Sequence, residues 1–211
     1  MSDVEPTLAG GVDTRFVAGA LAELAAAHGL ELGEATCGAL ANYANAVAEW
    51  NRQINLTGAR DAETVVREHL ADAVPLISHL PAGPFRLLDV GSGAGFPGLV
   101  LAILRPEIEC HLLEPSQKKH AFLRAMGRQL PAPNTTTRSA RFEEVDLSPY
   151  QVLVSRALWS PAEWIRRATQ AAQPGTVILA LAGSDPAPAP NCESHAYQFG
   201  GATRHVLVAR C

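Results

Sequence analysis

Gly91, Gly93 and Gly95 stand at alternate positions after the apolar run Leu87-Leu88-Asp89-Val90 and lead into Phe96-Pro97-Gly98. This order reads as a strand ending on a carboxylate, a glycine turn and the start of a helix, a junction that offers backbone N–H groups and a crevice to a ligand. Without Cβ atoms the glycines let an adenosine-like ligand approach the backbone, and they reach dihedrals closed to other residues. Asp89, two residues before Gly91, can turn its carboxylate toward a ligand ammonium or a water at the strand end. Glu114 closes the next strand, where a carboxylate accepts hydrogen bonds from ribose hydroxyls. The loop alone does not choose a ligand, because Gly93, Gly95 and Gly98 also fit the GxGxxG spacing of dinucleotide enzymes. NAD and S-adenosylmethionine both remain open on these residues.

Further residues flank the crevice. Arg141-Phe142-Glu143 follows the third strand, at the depth where an adenine ring would lie, although an acidic first helical turn explains the same residues. Ser155-Arg156-Ala157 follows the fourth strand; there an arginine can meet a ligand carboxylate or a substrate phosphate, or form a surface ion pair. The Asn/Asp/Ser-Pro-Pro-aromatic tetrapeptide common in methylation of exocyclic base amines is replaced by Ser155-Arg156-Ala157-Leu158, and no cysteine falls in a predicted site loop. An acceptor with a free lone pair fits better, such as guanine N7, which needs in-line approach rather than a general base. Lys118, Lys119, His120, Arg124 and Arg128 on one helix, with Arg60, Arg67 and His69 before it, read as solvated faces. If the N-terminal helices fold over the carboxyl edge of the sheet, they form one cationic rim for a phosphate backbone. His69 reads as a packed or hydrogen-bonded histidine, and Trp50, Trp159 and Trp164 as core or interface volume.

The elements that must position these groups follow from periodicity. Ser2 to Val12, with Pro6, Gly10 and Gly11, reads as a frayed end. Thr14 is expected to cap a helix with Val17, Leu21 and Leu24 on its apolar side, closing at Gly29; a second helix runs from about Glu34 with Leu40, Tyr43, Val47 and Trp50 in one stripe. Asp61 caps a third helix, through Val65, His69 and Leu76 towards Pro81. From Phe85 the pattern alternates: strands at Arg86 to Val90, Glu109 to Leu113, near Thr135 to Arg138, Gln151 to Val154 and Thr176 to Leu181, with helices from Pro97, Gln117 and Pro161 between them. That is a parallel sheet covered by helices. After the Pro-rich Asp185 to Pro190, the runs His195 to Phe199 and Arg204 to Ala209 flank Gly200-Gly201 as a hairpin. An antiparallel closing strand favours a methyltransferase architecture over the dinucleotide fold. The expected division is a helical cap over residues 1–82 and a catalytic α/β domain over 83–211.

At 211 residues and 47% hydrophobic content, one α/β core with an appendage is the expected size. No apolar run approaches the roughly 20 residues of a membrane span, and the start has no basic or apolar leader pattern, so a cytoplasmic chain without a membrane partner is expected. Cys37, Cys110, Cys192 and Cys211 lack metal-ligand spacing, which predicts neither zinc nor a disulfide framework. A net charge of −4 excludes a strongly basic nucleic-acid clamp but not a local cationic face.

Several segments together resemble one family. Trp50-Asn51-Arg52-Gln53-Ile54-Asn55-Leu56-Thr57, His69, Asp89 to Gly98 with its Gly-Phe-Pro-Gly ending, Leu112-Leu113-Glu114, Lys118-Lys119, Phe122-Leu123-Arg124, Ser155-Arg156-Ala157 and Arg204-His205 are similar to the bacterial 16S ribosomal RNA guanine-N7 methyltransferases, also called glucose-inhibited division protein B. The resemblance runs from about Leu40 to Arg210, and the Trp-Asn…Asn-Leu-Thr segment is its specific part. It implies a class I, Rossmann-like α/β fold: a mostly parallel seven-stranded sheet, a C-terminal antiparallel hairpin and an N-terminal helical extension. It implies S-adenosyl-L-methionine as methyl donor, 7-methylguanosine as product, and 16S ribosomal RNA or the small ribosomal subunit as partner; separately, a monomer without a metal is expected.

Carried across, Gly91 and Phe96 line the cofactor site beside Asp89, Gly93 and Gly95, Glu114 holds the ribose, Phe142 and Glu143 the adenine end, and Arg156 the cofactor or substrate side. Arg156, Arg204 and Lys118 would orient phosphate and base in catalysis, with Asn55, His69 and Arg141 also facing the RNA. Two departures stand out. Leu181-Ala182-Gly183 replaces the usual Leu-Lys-Gly, and the segment after it is a short Pro/Ala run where relatives are longer and acidic. The alternatives are a nicotinamide-cofactor oxidoreductase and a methyltransferase-fold RNA-binding module without catalysis.

Overall fold

The computed structural model describes residues 11–187, 189 and 191–211. Most of the expected frayed end, residues 1–10, and Pro188 and Pro190 of the Pro-rich stretch therefore lie outside the described residues. The seven strands are β1 (Arg86–Val90), β2 (Glu109–Leu113), β3 (Thr135–Arg138), β4 (Val152–Ser155), β5 (Val177–Ala182), β6 (Cys192–Phe199) and β7 (Ala202–Arg210), in the order β3-β2-β1-β4-β5-β7-β6. The first five pair in parallel, and β7 enters antiparallel between β5 and β6. Gly200 and Gly201, both at positive φ, make the two-residue turn of the β6–β7 hairpin. No described helix is long and apolar enough to cross a membrane.

The two-residue period of the strands sorts the core into two faces. Leu87, Leu112, Val152, Val154, Leu179 and Val208 face one cluster, which takes in α1 (Thr14–Ala27), α2 (Glu34–Asn51), α5 (Gly98–Leu104) and α6 (Gln117–Gln129). Leu88, Val90, Leu153, Ile178 and Leu207 face the other, closed by Trp164, Ile165 and Ala168 of α7 (Pro161–Ala171). The N-terminal helices thus share one apolar core with the sheet. Asp13, rather than the expected Thr14, caps α1: its Oδ1 accepts from the Phe16 N–H at 2.8 Å. An aspartate offers the stronger capping acceptor.

Asp61 caps the third helical run as expected, accepting from the Thr64 N–H. The run is not uniform. It passes from α3 (Ala62–Thr64) through a π-helical turn (Val65–Leu70) and α4 (Ala71–Ala73) to a 3₁₀ segment (Val74–His79). Pro75 lacks the N–H that a regular turn would use, and π-turns recur where a helix must re-aim functional side chains. His69 sits in the π-turn and Asp72 just beyond it.

Gly95 serves packing, which corrects its assignment to the ligand side. With φ +96°, it would bring an added methyl within 2.7 Å of the Tyr43 hydroxyl and 3.0 Å of Leu99 Cβ. That hydroxyl, on α2, donates to the Ala94 carbonyl and so ties the glycine loop to the N-terminal helices. Gly95→Ala is expected to lower the unfolding free energy by about 3 kcal/mol through strain and overpacking. Urea denaturation of the two proteins measures the difference, and a loss below about 1 kcal/mol would contradict this account.

Candidate active site

The glycine loop is fastened to the tip of β2 by backbone and side chain. The N–H groups of Gly91 and Ser92 donate to the Leu113 carbonyl, and that of Gly93 donates to Glu114 Oε2 at 2.9 Å. Glu114 Oε1 accepts from the Ser116 N–H at 2.8 Å. Each oxygen keeps a lone pair for a further donor. Gly91 and Gly93 both lie at positive φ, and a methyl on Gly93 would make only an ordinary contact, at 3.9 Å, with the Gly91 carbonyl oxygen. Together with Phe96, Glu114, Lys119 and Arg156 they line a cleft of about 400 Å³.

A narrower slot of about 210 Å³ continues from Gly91 between Leu113, Phe142, Leu158 and Trp159, with Arg141 and Glu143 also lining it. Its walls are the partly buried rings of Phe142 and Trp159, set edge to face at 5.8 Å, and Leu158, a large apolar side chain left 42% exposed. Such a slot suits a flat apolar ring. Leu158 also overhangs Gly91, where a Cβ would stand 2.9 Å from it. Ala157 beside it holds φ +59°, a left-handed conformation for a residue with a side chain. Strain of this kind persists only where the surroundings enforce it, and it gathers at functional sites.

Opposite the loop, Arg156 joins two elements. One guanidinium nitrogen donates to His69 Nδ1 at 2.8 Å, and the other pairs with Asp72 Oδ2 at 3.0 Å. Guanidinium only donates, so His69 Nδ1 accepts and its proton sits on Nε2, which points to the Thr57 hydroxyl. Burial first, then the charge of Arg156, lowers the His69 pKa to about 4, so the ring is neutral at pH 7. Asp72, itself buried, also accepts from Arg204 and from the Tyr197 hydroxyl. Thr57 is held in place by Asn51, whose side-chain oxygen accepts from the Leu56 and Thr57 N–H groups while its amide donates to the Thr57 and Ala59 carbonyls.

The structure gathers Gly91, Gly93, Phe96, Glu114, Arg156 and His69 in the main cleft, Phe142, Glu143 and Arg141 in the slot, and Arg204 in an adjoining cleft that Arg156 shares. Arg141 therefore stands at the slot and not beside His69. Three expectations need correction. Asp89 does not face the cleft: fully buried, it accepts from the Gly98 N–H at 2.9 Å with Oδ2 and leaves Oδ1 without a protein partner. The strand period puts Asp89 on the Leu87 face, under α5. Lys118 is exposed and outside the cleft, which Lys119, one residue around the helix, reaches instead. Asn55 is exposed and does not line the cleft, whereas Asn51 shapes its rim. Sequence reading assigned no role of their own to Asn51, Thr57 or Asp72, and placed Lys119 only on the cationic rim. The Trp50-Asn51 to Thr57 segment carried the signal for two of them.

Two buried groups make opposite demands on acidity. Burial pushes the Asp89 carboxyl from 3.8 up to about 7, so its stability contribution is complete below pH 4 and lost as the pH rises through 7. The His69 pKa is instead lowered from 6.5 to about 4, so its contribution is complete above pH 6.5 and lost as the pH falls through 4. Between pH 4 and 6.5 the two slopes oppose each other. Asp89→Asn is expected to unmask a loss of stability on acidification of up to about 1.4 kcal/mol per pH unit, and His69→Gln the opposite slope. Urea titrations across this range should separate the variants; pH profiles parallel to the parent protein would contradict the pairing.

A family model described as rRNA small subunit methyltransferase G (GidB) matches residues 36–210. Ribosomal RNA small subunit methyltransferase G of Leptothrix cholodnii is 35% identical over 166 residues, covering 77% of this chain and 76% of its own. The protein of the same name from Halorhodospira halophila is 40% identical over 144 residues, 68% of either chain. Among solved structures, a variant of MtNAS in complex with S-adenosylmethionine superposes with a TM-score of 0.57 at 14% identity, over 95% of this chain and 93% of that one, a likeness of fold.

Proposed function

The chain belongs to the rRNA small subunit methyltransferase G family, and from that premise we propose that it transfers a methyl group from S-adenosylmethionine to N7 of a guanine in 16S ribosomal RNA. The observation that carries the reading is the Glu114 bridge, which fixes bare backbone at Gly93 beside a carboxylate with spare lone pairs, as a ribose diol requires. When bound, S-adenosylmethionine supplies a sulfonium methyl open to attack by a nitrogen lone pair. Gly91, Gly93 and Phe96 line its cleft, and Glu114 takes the ribose hydroxyls. Phe142 and Trp159 flank the adenine ring, with Glu143 and Arg141 at that end of the slot. Arg156 supplies positive charge where the donor and acceptor sides meet. Asp89 serves at one remove, by capping α5 beneath the loop.

The acceptor choice rests on what the cleft lacks a use for. His69 is neutral with both ring nitrogens engaged, and Asp72 is committed to two arginines and a tyrosine. Neither group is free to take a proton, and guanine N7 has none to give. Lys119 and neighbouring basic residues meet phosphates, so the partner is the ribosomal small subunit and the site of action the cytoplasm.

Labelled S-adenosylmethionine incubated with unmodified small subunits should yield 7-methylguanosine on mapping. Label on an exocyclic amine would overturn the acceptor, and no label would favour the binding-module alternative. S-adenosylhomocysteine at a hundred times its Kd should stabilise the protein by about 2.7 kcal/mol, read as a raised Tm. NADH should leave the Tm unchanged; the reverse pattern would remove the donor assignment.

A further inference from the structure

Asp72 ties the helical run to the β6–β7 hairpin through Tyr197 and Arg204. The same two elements meet again further along. His79, the last residue of the 3₁₀ segment, sets its ring 4.4 Å from that of His195 on β6, with the two planes inclined at 42°. His28, which caps the end of α1, reaches the neighbouring Ser78, its Nδ1 lying 2.8 Å from the hydroxyl oxygen. We propose that His28, His79 and His195 form an acid-sensitive clasp, which holds the hairpin against the N-terminal helices while the rings are neutral and loosens as they gain protons. The clasp shares no residue with the glycine-loop cleft, the slot or the cleft that Arg204 lines.

Strand geometry puts both contacts on one face. His195 and Tyr197 stand two residues apart on β6 and so point the same way, toward the core cluster that Tyr197, Leu76 and Val206 share. His205 points to the opposite face, where it meets Ser194, and takes no part. Two imidazoles this close make a favourable contact only while at least one is uncharged. With both protonated, two unit charges at that separation repel even in water, enough to weaken a docking equilibrium about fivefold.

The charges around His79 set the sign. His28 faces it from the end of α1, His195 and Glu193 from β6, and Arg210 from β7. Glu193 is the one carboxylate among them, and its Oε2 stands 3.1 Å from His195 Nε2. A proton arriving on His79 therefore meets one negative group against Arg210 and two imidazoles. Burial first, then His195, His28 and Arg210, hold the His79 pKa below the ordinary 6.5, and burial lowers that of His28. Histidines lowered in this way contribute stability that is complete above pH 6.5 and is lost as the pH falls. The loss falls on the seam beside Tyr197, whose register partner on β7 is Arg204. Loosening thus reaches the post that Asp72 gives Arg204.

Hydrogen exchange of the full chain, read by mass spectrometry, tests the clasp with no substrate present. Corrected for intrinsic rates, protection of the β6–β7 hairpin relative to β2 should fall about fivefold between about pH 7.5 and about pH 5.5. His79→Gln and His195→Gln each remove one of the paired rings. Either should cut the fall to less than about twofold, and the double variant should add little, because both act on one interaction. A parent hairpin whose protection changes by less than about twofold, or a fivefold fall that persists in both variants, would sink the clasp. A second measurement rests on the methyltransferase reading: KM for unmodified small subunits should rise about three- to fivefold at the lower pH in the parent, and less than about twofold in His79→Gln. An unchanged KM beside the expected exchange would overturn the link to Arg204. A parent that methylates no subunits at either pH would remove the reading of function, and exchange would still decide the clasp.

Discussion

Arg156→Met is expected to reduce kcat/KM for subunit methylation by about 10²- to 10³-fold, the largest loss from any single substitution at this site. The side chain holds His69 on one side and Asp72 on the other, so its removal disconnects the helical run from the tip of β4. Methionine keeps much of the volume but none of the donors. Asp72 retains Arg204 and Tyr197, so the fold should survive with a cost of about 1–3 kcal/mol. Arg156→Lys separates charge from geometry, because a single ammonium cannot serve both partners along two directions. Lysine should recover less than a tenth of the lost activity, about one order of magnitude at most. Near-normal turnover in either variant would show that the hub is scaffolding alone.

The second large effect belongs to Glu114→Gln. Both carboxylate oxygens accept backbone N–H groups, from Gly93 and Ser116, in a site from which water is nearly excluded. An amide can accept on one side only, and its NH₂ must then face an N–H. One donor loses its partner at a cost of about 1–3 kcal/mol. That cost falls on the loop, where it should appear as a 10- to 100-fold rise in Kd for S-adenosylhomocysteine, roughly the same free energy. Calorimetry reads the change without any RNA present. An unchanged Kd would mean that the loop holds its form without the bridge and that the ribose is held elsewhere.

The alternation of strands and helices was legible because turn residues and apolar periods agreed along the whole α/β half, and only end positions moved. Gly91, Gly93, Glu114 and Arg156 were legible for a related reason: all sit at the carboxyl ends of parallel strands or in the loops after them, where a crevice forms in this architecture. Asp89 failed at the same level of description. Its place in the motif suggested the ligand, but alternation along β1 sends Leu87 and Asp89 beneath α5 and Leu88 and Val90 toward α7. Lys118 failed by one step of helical rotation, which is enough to exchange cleft for solvent. Asp72 was invisible for another cause. Asp72 gains its meaning from Arg204, 132 positions away, and from Arg156, and no local pattern records such partners.

The insertion of β7 between β5 and β6 fixes an order of assembly. A growing chain that has reached Trp159 already carries Gly91, Glu114, Phe142 and Arg156, the residues proposed to hold the methyl donor, while Arg204 is still to be synthesised. On the proposed reading, contact with the target is therefore the later acquisition during biosynthesis, and it hinges on a hairpin whose second strand pairs with the open edge of β5.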